Sequence, residues 1–523
     1  MTSGTTVNLE QGAFGVPDGS RAEIEVPTFV ELDPAIAQTG LISDPADRAV
    51  RVFVGKKGSG KTVYLRRFQA AANDEDSVYA TGVDQNSPAT DNVTKFSRWY
   101  RGGDITERWS MAWRIAVLRS LCSHLLFARA LSSYGSIPDR KTLRRLAEEA
   151  MPDVGTPRSV YDQLGSMIST NRTRQAFDAE VHSGIWADLE YWLRQIIQDA
   201  PPIFFYLDAV DEEYATAPSD WLRCQKGLFH QVMRFLRDPD FGGRLHIVIA
   251  IRDNVFASIL RSEHATRYRT DPHVRVLAWD RPAVRFFFAR KLERLSHEQV
   301  MYPHSRRTVA AWLGHTQITN AIRDQDEDLE DYIVRHTRML PRDIVLMGNE
   351  LAEEVRKAKG EGRASVPQAR IRDTVSKVAA WCGNEQLFVC GNQILGDSPY
   401  QPAMDQADGE EHIYERIAEI VRSVGTDQFG PTALAQLAEQ GRMTMGDAVD
   451  LTAVLWQNGL LGFGDASLNG GEWVFHGVED VDRLFIPLDR ERYALHPCLL
   501  DALGFRGAGA GTKPVRPWRR GAA

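Results

Sequence analysis

An α/β fold built on a parallel sheet is the architecture this sequence predicts, and three observations carry the expectation. Short, wholly apolar runs alternate with amphipathic helical segments. Those runs are apolar on both faces, as strands covered by helices on both sides must be. A glycine-rich loop, GKKGSGKT (55–62), stands between the first run and the helix after it.

Taken in order, residues 1–40 are polar with scattered Pro and Gly, and read as a flexible N-terminal arm. AVRVFVG (49–55) is a β-branched strand ending in glycine. KTVYLRRFQAAA (61–72) is helical, with Val63, Leu65 and Phe68 on one face. SVYATGV (77–83) is a second strand. A helical insertion is expected over about 95–198: Trp109, Trp113, Ala116, Val117, Leu121 and Leu125 recur at spacings of three and four within 97–131, and further helices fit 141–150, 158–170 and 184–198. PPIFFYLD (201–208) is a buried strand behind two prolines, GLFHQVMRFLRD (227–238) a helix, and RLHIVIAIR (244–252) another buried strand.

These segments make a core over 41–275. Residues 276–390 are helical throughout and read as a lid, with KGEGRAS (359–365) as a break. GDSPYQPAMDQADGEE lies across a linker at 391–411. Three short helices and then the strand-like pieces WVFHG, DRLFIPL and RYALH give 412–505 a winged-helix pattern. Residues 506–523 are low-complexity and basic, and are expected to be disordered. The fold class is therefore α/β: a parallel sheet with a helical insertion and a helical lid, plus a C-terminal winged-helix domain.

With 523 residues, 43% hydrophobic and 25% charged, the chain is of globular composition and long enough for several domains. A net charge of −8 makes no global case for nucleic acid. Cys122, Cys224, Cys382, Cys390 and Cys498 are scattered, without a zinc spacing, and read as reduced, buried thiols. No signal-peptide pattern opens the chain, and its apolar runs fall short of the ~20 residues of a membrane span. A cytoplasmic location is expected.

GKKGSGKT fits G-x-x-x-x-G-K-[ST]. Gly55, Gly58 and Gly60 let the backbone curl until its N–H groups face inward around phosphate, with Lys56, Lys57 and Ser59 between them. The helix opening at Lys61, Thr62 and Val63 aims its N-terminus at the same anion. Lys61 reaches the β- and γ-phosphates, and Thr62 offers a hydroxyl to Mg²⁺. The alternative is a turn of small residues with a surface lysine.

Asp208 closes the apolar run IFFYL and is placed to hold Mg²⁺. Asp211 and Glu212 follow it; Glu212 is the favoured group to polarise attacking water, and Asp211 the second choice. Alternatively this acidic run only solvates a loop. Arg252 ends the third buried strand, where it either reads the γ-phosphate or pairs with a carboxylate such as Asp253. No [NT]-K-x-D motif for guanine is present, so ATP is expected over GTP.

GKKGSGKT, IFFYLDAVDE, the strand ending in Arg252, VLAWDRPAVRFFFARKL and LPRDIVLMGNEL together resemble the STAND and KAP-like signal-transduction P-loop ATPases, relatives of the AAA+ group. The resemblance covers about 45–355. It implies a parallel P-loop sheet with a helical lid, and a winged helix as a usual appendage. Arg342 matches the lid arginine that contacts the γ-phosphate; the alternative is an ion pair with Asp343. Trp279 and Arg290 match the pattern without a derivable role, and Trp279 reads as core. The Asp-x-x-Asp-Glu spacing at 208–212 differs from a typical AAA+ motor, whose Asp and Glu are adjacent. Many bacterial members act in stress or antiphage defence, which the resemblance extends here as an implication.

The expected function is Mg-ATP binding and slow hydrolysis used as a conformational or assembly switch in a bacterial-type signalling or defence system, with self-association. The rivals are an oligomeric AAA+-like motor or nucleic-acid-associated ATPase, with Arg261, Arg267 or Arg269 as a finger in trans, and a scaffold that binds ATP without hydrolysis. The expected recognition helix, 443–461, carries only Asp447 and Asp450 as charges, which favours packing of the winged helix on the ATPase core or on a protein over DNA; a protein partner is expected through the winged helix or the helical insertion. Arg506, Lys513, Arg516, Arg519 and Arg520 make the best local case for nucleic acid, which is not favoured. No nuclease, protease or deaminase constellation is visible.

Overall fold

The computed structural model describes residues 12–19, 21, 50–85, 88–101, 104–131, 133–152, 155–208, 217–261, 265–320, 323–397, 406–447, 449–464, 473–480, 483–505 and 513–518. The chain divides into two compact units. One holds Asp33–Lys57 and Lys61–Val276; the other holds Met1–Leu32, Gly58–Gly60 and Leu277–Ala523.

The first unit is an α/β structure around five parallel strands: β1 (Val52–Gly55), β2 (Tyr79–Asp84), β3 (Ile203–Leu207), β4 (Leu245–Arg252) and β5 (Val274–Val276). Their spatial order is β2-β3-β4-β1-β5. β1, β3 and β4 are buried at every position, which explains their unbroken apolar sequences. β2 lies at an edge, is only half-buried and shifts register between Ala80 and Val83. The register sets Gly55 beside Arg252 and Asp84 beside Leu207, so the strand ends that carry polar residues come together.

The helix Lys61–Asn73 buries Tyr64, Leu65, Phe68 and Ala72 on one stripe. Its Phe68 ring meets Phe53 of β1 edge-on at 5.1 Å. Within the expected insertion, helices occupy Thr90–Trp99, Ile105–Phe127, Ile137–Ala150, Val160–Thr170, Arg174–Val181 and Gly184–Asp199. The long periodic stretch at 97–131 is thus two helices, the second capped by Asp104, whose carboxylate accepts the Glu107 N–H. Ile105–Phe127 packs against Pro218–Arg237. Gly227 allows the close approach, since a Cβ there would lie 2.4 Å from Cβ of Trp109. The Trp113 indole N–H donates to the Cys224 carbonyl at 2.9 Å across the same seam.

In the second unit, the helices Arg281–Glu293, Val309–Leu313, Leu329–Arg335, Pro341–Gly360 and Gln368–Asp397 share one apolar core, together with the hairpin β6 (Gln317–Asn320) and β7 (Gln325–Asp328). Phe14 belongs to that core, 5.0 Å from the Trp312 ring and 6.0 Å from Phe288. Its backbone N–H donates to Asn349 Oδ1 at 2.7 Å, and Asn349 Nδ2 donates to the Gly15 carbonyl at 2.9 Å. The expectation of a loose arm therefore fails around Phe14. Gly348 makes room: a Cβ there would sit 2.3 Å from the Phe14 ring.

Two further boundaries move. The helix Gln368–Asp397 runs past the expected linker start at 391, because Cys390 and Ile394 pack into the next core with Ile417 and Val421. That core is built on Gln406–Ser423, Pro431–Met445, Leu451–Gln457 and Pro497–Leu503. Beside it lies a sheet ordered β12-β10-β9-β11-β8, formed by β8 (Gln428–Phe429), β9 (Leu461–Gly464), β10 (Trp473–Phe475), β11 (Tyr493–Leu495) and β12 (Pro517–Trp518). The expected strand DRLFIPL is not one; its described residues 483–488 are irregular.

β12 lies in the tail expected to be disordered. It pairs in parallel with β10, and Val515 is buried with Trp473, Phe475 and Ala494. Lys513, Val515 and Arg516 are all held: the Lys513 carbonyl accepts from Arg323, and Arg516 lies 3.6 Å from Asp331. Arg506, Arg519 and Arg520 lie outside the described residues. The expected 443–461 helix is also interrupted: one helix ends at Met445, Gly446 has φ 108°, and Asp450 caps the next by accepting the Ala453 N–H. Every residue from Leu451 to Trp456 is buried. Among the described residues no helix is long and apolar enough to cross a membrane.

Candidate functional site

The loop after β1 joins the buried strand to the helix at Lys61, as expected. Gly58 and Gly60 have φ of +85° and +90°, the left-handed conformation that curls the loop and that side chains with a Cβ disfavour. Lys56, Ser59 and Lys61 are buried, and Lys57, Thr62 and Val63 half-buried. Lys61 Nζ donates to the carbonyls of Gly55 and Lys56 at 3.0 and 3.1 Å, folding its ammonium back over the loop. Ser59 is fully buried, yet its hydroxyl has no hydrogen-bond partner among the described residues. A buried polar atom left so is costly without a ligand.

Thr62 and Asp208 meet. The Thr62 hydroxyl donates to Asp208 Oδ2 at 2.5 Å, joining the first turn of the helix to the end of β3. Asp208 is 8% exposed. Hydroxyl and carboxylate are hard oxygen donors of the kind Mg²⁺ takes. No group of three His, Cys, Asp or Glu side chains able to hold a metal exists among the described residues.

Arg252 is 7% exposed, at the end of β4 directly beside Gly55. β4 lies between β1 and β3, so Arg252 stands at the tip between the loop strand and the Asp208 strand. Carboxyl ends of parallel strands are where open α/β sheets bind ligands. Asp211 and Glu212 lie outside the described residues. Arg261, Arg267 and Arg269 lie at or near the helices Asp253–Leu260 and Ala265–Arg269.

Two residues that sequence reasoning missed complete the strand tips. Asp84 ends β2; its backbone carbonyl accepts the Asp208 N–H at 3.0 Å, and its carboxylate accepts the Tyr161 N–H at 3.2 Å. Tyr161, wholly within the insertion, donates its hydroxyl to the Asp208 carbonyl at 2.5 Å. Burial, then the carboxylates of Asp84 and Asp208, push its phenol well above the usual range, so it remains a donor. The repeated pattern of an apolar run ending in Asp, at 84 as at 208, was the available signal for Asp84. Nothing local marked Tyr161.

Within the second unit, Arg342 stands at the start of the helix Pro341–Gly360. Its N–H donates to the Gly58 carbonyl at 3.3 Å. Its guanidinium pairs with Glu385 at 3.1 Å and lies over the Trp381 ring. The alternative pairing with Asp343 does not occur: Asp343 is taken by Arg338 at 2.8 Å, and Arg338 also reaches Glu385. Trp279 is buried as expected, against Phe287, but its indole N–H also donates to the Ser59 carbonyl at 2.9 Å. Arg290 pairs with Glu293 on the surface.

None of the five cysteines forms a disulfide, and all are buried. Comparison with protein-family models gave no match, and comparison with curated proteins gave none either.

Proposed function

We propose that this chain binds Mg-ATP on the loop at 55–62 and hydrolyses it slowly, as a conformational or assembly switch in an intracellular signalling or defence system. The observation that carries the reading is the Thr62–Asp208 hydrogen bond between a glycine-curled loop and the end of a buried parallel strand. It joins the two oxygen donors such a site needs, beside the buried amine of Lys61.

In this reading the loop N–H groups and the helix N-terminus bind the phosphates. Lys61 exchanges its loop carbonyls for phosphate oxygens. Thr62 and Asp208 would hold Mg²⁺, which when bound would supply positive charge to the phosphates. Glu212, or Asp211, orients the attacking water and takes its proton. Arg252 meets the charge that develops on the γ-phosphate. The finer architecture belongs to the same proposal: a P-loop core, a helical lid over 276–390 and a winged-helix-like module that serves protein contacts. The burial of Leu451–Trp456 supports the last point, because a helix sunk in its own core offers little to a DNA groove.

Light scattering on the purified protein without nucleotide, with ADP and with ATP tests the switch. ATP is expected to change the mass, and Glu212→Gln to lock the ATP-bound mass. Steady hydrolysis at constant mass would refute assembly as the output. An unchanged Glu212→Gln turnover would remove Glu212 from its role.

A further inference from the structure

We propose that Tyr161 is a positioning residue for Asp208, tying the helical insertion to the metal-holding carboxylate. The inference rests on the nucleotide reading above and adds a residue to it.

Asp208 is held at three points. Its N–H donates to the Asp84 carbonyl at 3.0 Å, its own carbonyl accepts the Tyr161 hydroxyl at 2.5 Å, and its carboxylate accepts the Thr62 hydroxyl at 2.5 Å. The first two fix the peptide planes on either side of its Cα. With those planes held, the carboxylate meets the Thr62 hydroxyl.

Tyr161 is itself fixed. It sits in the first turn of the helix Val160–Thr170, where Asp84 accepts its N–H. Its ring meets Trp113 edge-on at 5.7 Å, and Trp113 is pinned to Cys224. Helix Ile105–Phe127 packs against Val160–Thr170. A displacement of these helices would therefore reach the Asp208 carbonyl through one rigid phenol. A bystander that merely satisfies a buried carbonyl would affect stability alone; a positioning residue also affects metal use.

The test uses the full chain and two quantities: the Mg²⁺ concentration for half-maximal ATP hydrolysis, and ATP affinity in EDTA. Tyr161→Phe keeps the ring and removes the donor. It is expected to raise the Mg²⁺ requirement about three- to tenfold, as loss of one buried hydrogen bond would, with EDTA affinity unchanged. Asp84→Ala loosens the same link from its other end and should move the Mg²⁺ requirement the same way. Trp113→Phe, which breaks the bond to Cys224, should lower the melting temperature and leave the requirement closer to wild type than Tyr161→Phe does. An unchanged requirement in folded Tyr161→Phe and Asp84→Ala would overturn the inference alone. Wild-type protein that neither binds nor hydrolyses ATP would overturn the nucleotide reading and this inference with it.

Discussion

Replacing Lys61 by alanine separates two consequences of one side chain. In the structure its ammonium donates to the Gly55 and Lys56 carbonyls. Removing it leaves two loop carbonyls short of a donor, a cost of about 1–3 kcal/mol if water cannot reach them. The nucleotide-bound state loses more, because a charge-assisted contact to phosphate disappears. About 2.7 kcal/mol, roughly a hundredfold in Kd, is a fair magnitude for such a contact. Thermal melting with and without Mg-ATP reads both. At a ligand concentration 100 times the wild-type Kd, binding stabilises the wild type by about 2.7 kcal/mol. The same concentration only equals the variant's Kd, and its gain falls to roughly 0.4 kcal/mol. The apo variant should therefore melt slightly below wild type, and its ATP-induced shift should nearly vanish. An ATP shift of wild-type size in Lys61→Ala would refute phosphate binding at this loop.

Phe14→Ala should release the N-terminal anchor. Its ring is 1% exposed, and a Phe→Ala change at such a site costs about 3–5 kcal/mol; faster proteolysis within the first 40 residues and a lower melting temperature are the readouts, and unchanged cleavage would argue against anchoring. Acid should destabilise the fold. Burial pushes His246 down to about 3, aided by Arg51, and His124 down to about 4, while burial also drives His336 well below the usual range. These imidazoles stay neutral when folded and take protons near pH 6.5 when unfolded, so their contribution is full above that pH and is lost as pH falls toward 4. Each contributes up to about 1.4 kcal/mol per pH unit across its window. Asp501, raised by burial to about 6, acts in the opposite sense, and one such group does not offset three histidines. Denaturant melts at pH 7 and pH 5 should show lower stability at pH 5; equal or higher stability would contradict the histidine account.

The loop and two strand tips were legible in the sequence. Gly55 to Thr62 form one short glycine-rich stretch between a strand and a helix, and Asp208 and Arg252 each close an apolar run long enough to be recognised as a buried strand. The α/β class was legible for the same reason, since burial on both faces of a parallel strand leaves a continuous apolar run. Boundaries were less legible. Pro and Gly around Val515 hid a short strand, and the turn-rich composition near 391 hid the end of a helix whose Cys390 and Ile394 are core residues.

What only the tertiary structure decided are the partners. Tyr161 and Asp208 are 47 positions apart, Arg342 and Glu385 are 43 apart, and Phe14 and Asn349 are 335 apart. A lone phenol, glutamate or phenylalanine has no local pattern that names its distant partner. Local sequence determines what backbone a stretch prefers and which face it buries. Which side chains meet at the strand ends depends on the order β2-β3-β4-β1-β5 and on the register that sets Asp84 beside Leu207 and Gly55 beside Arg252. Those follow from packing the whole sheet between its helices, a property that no single segment contains.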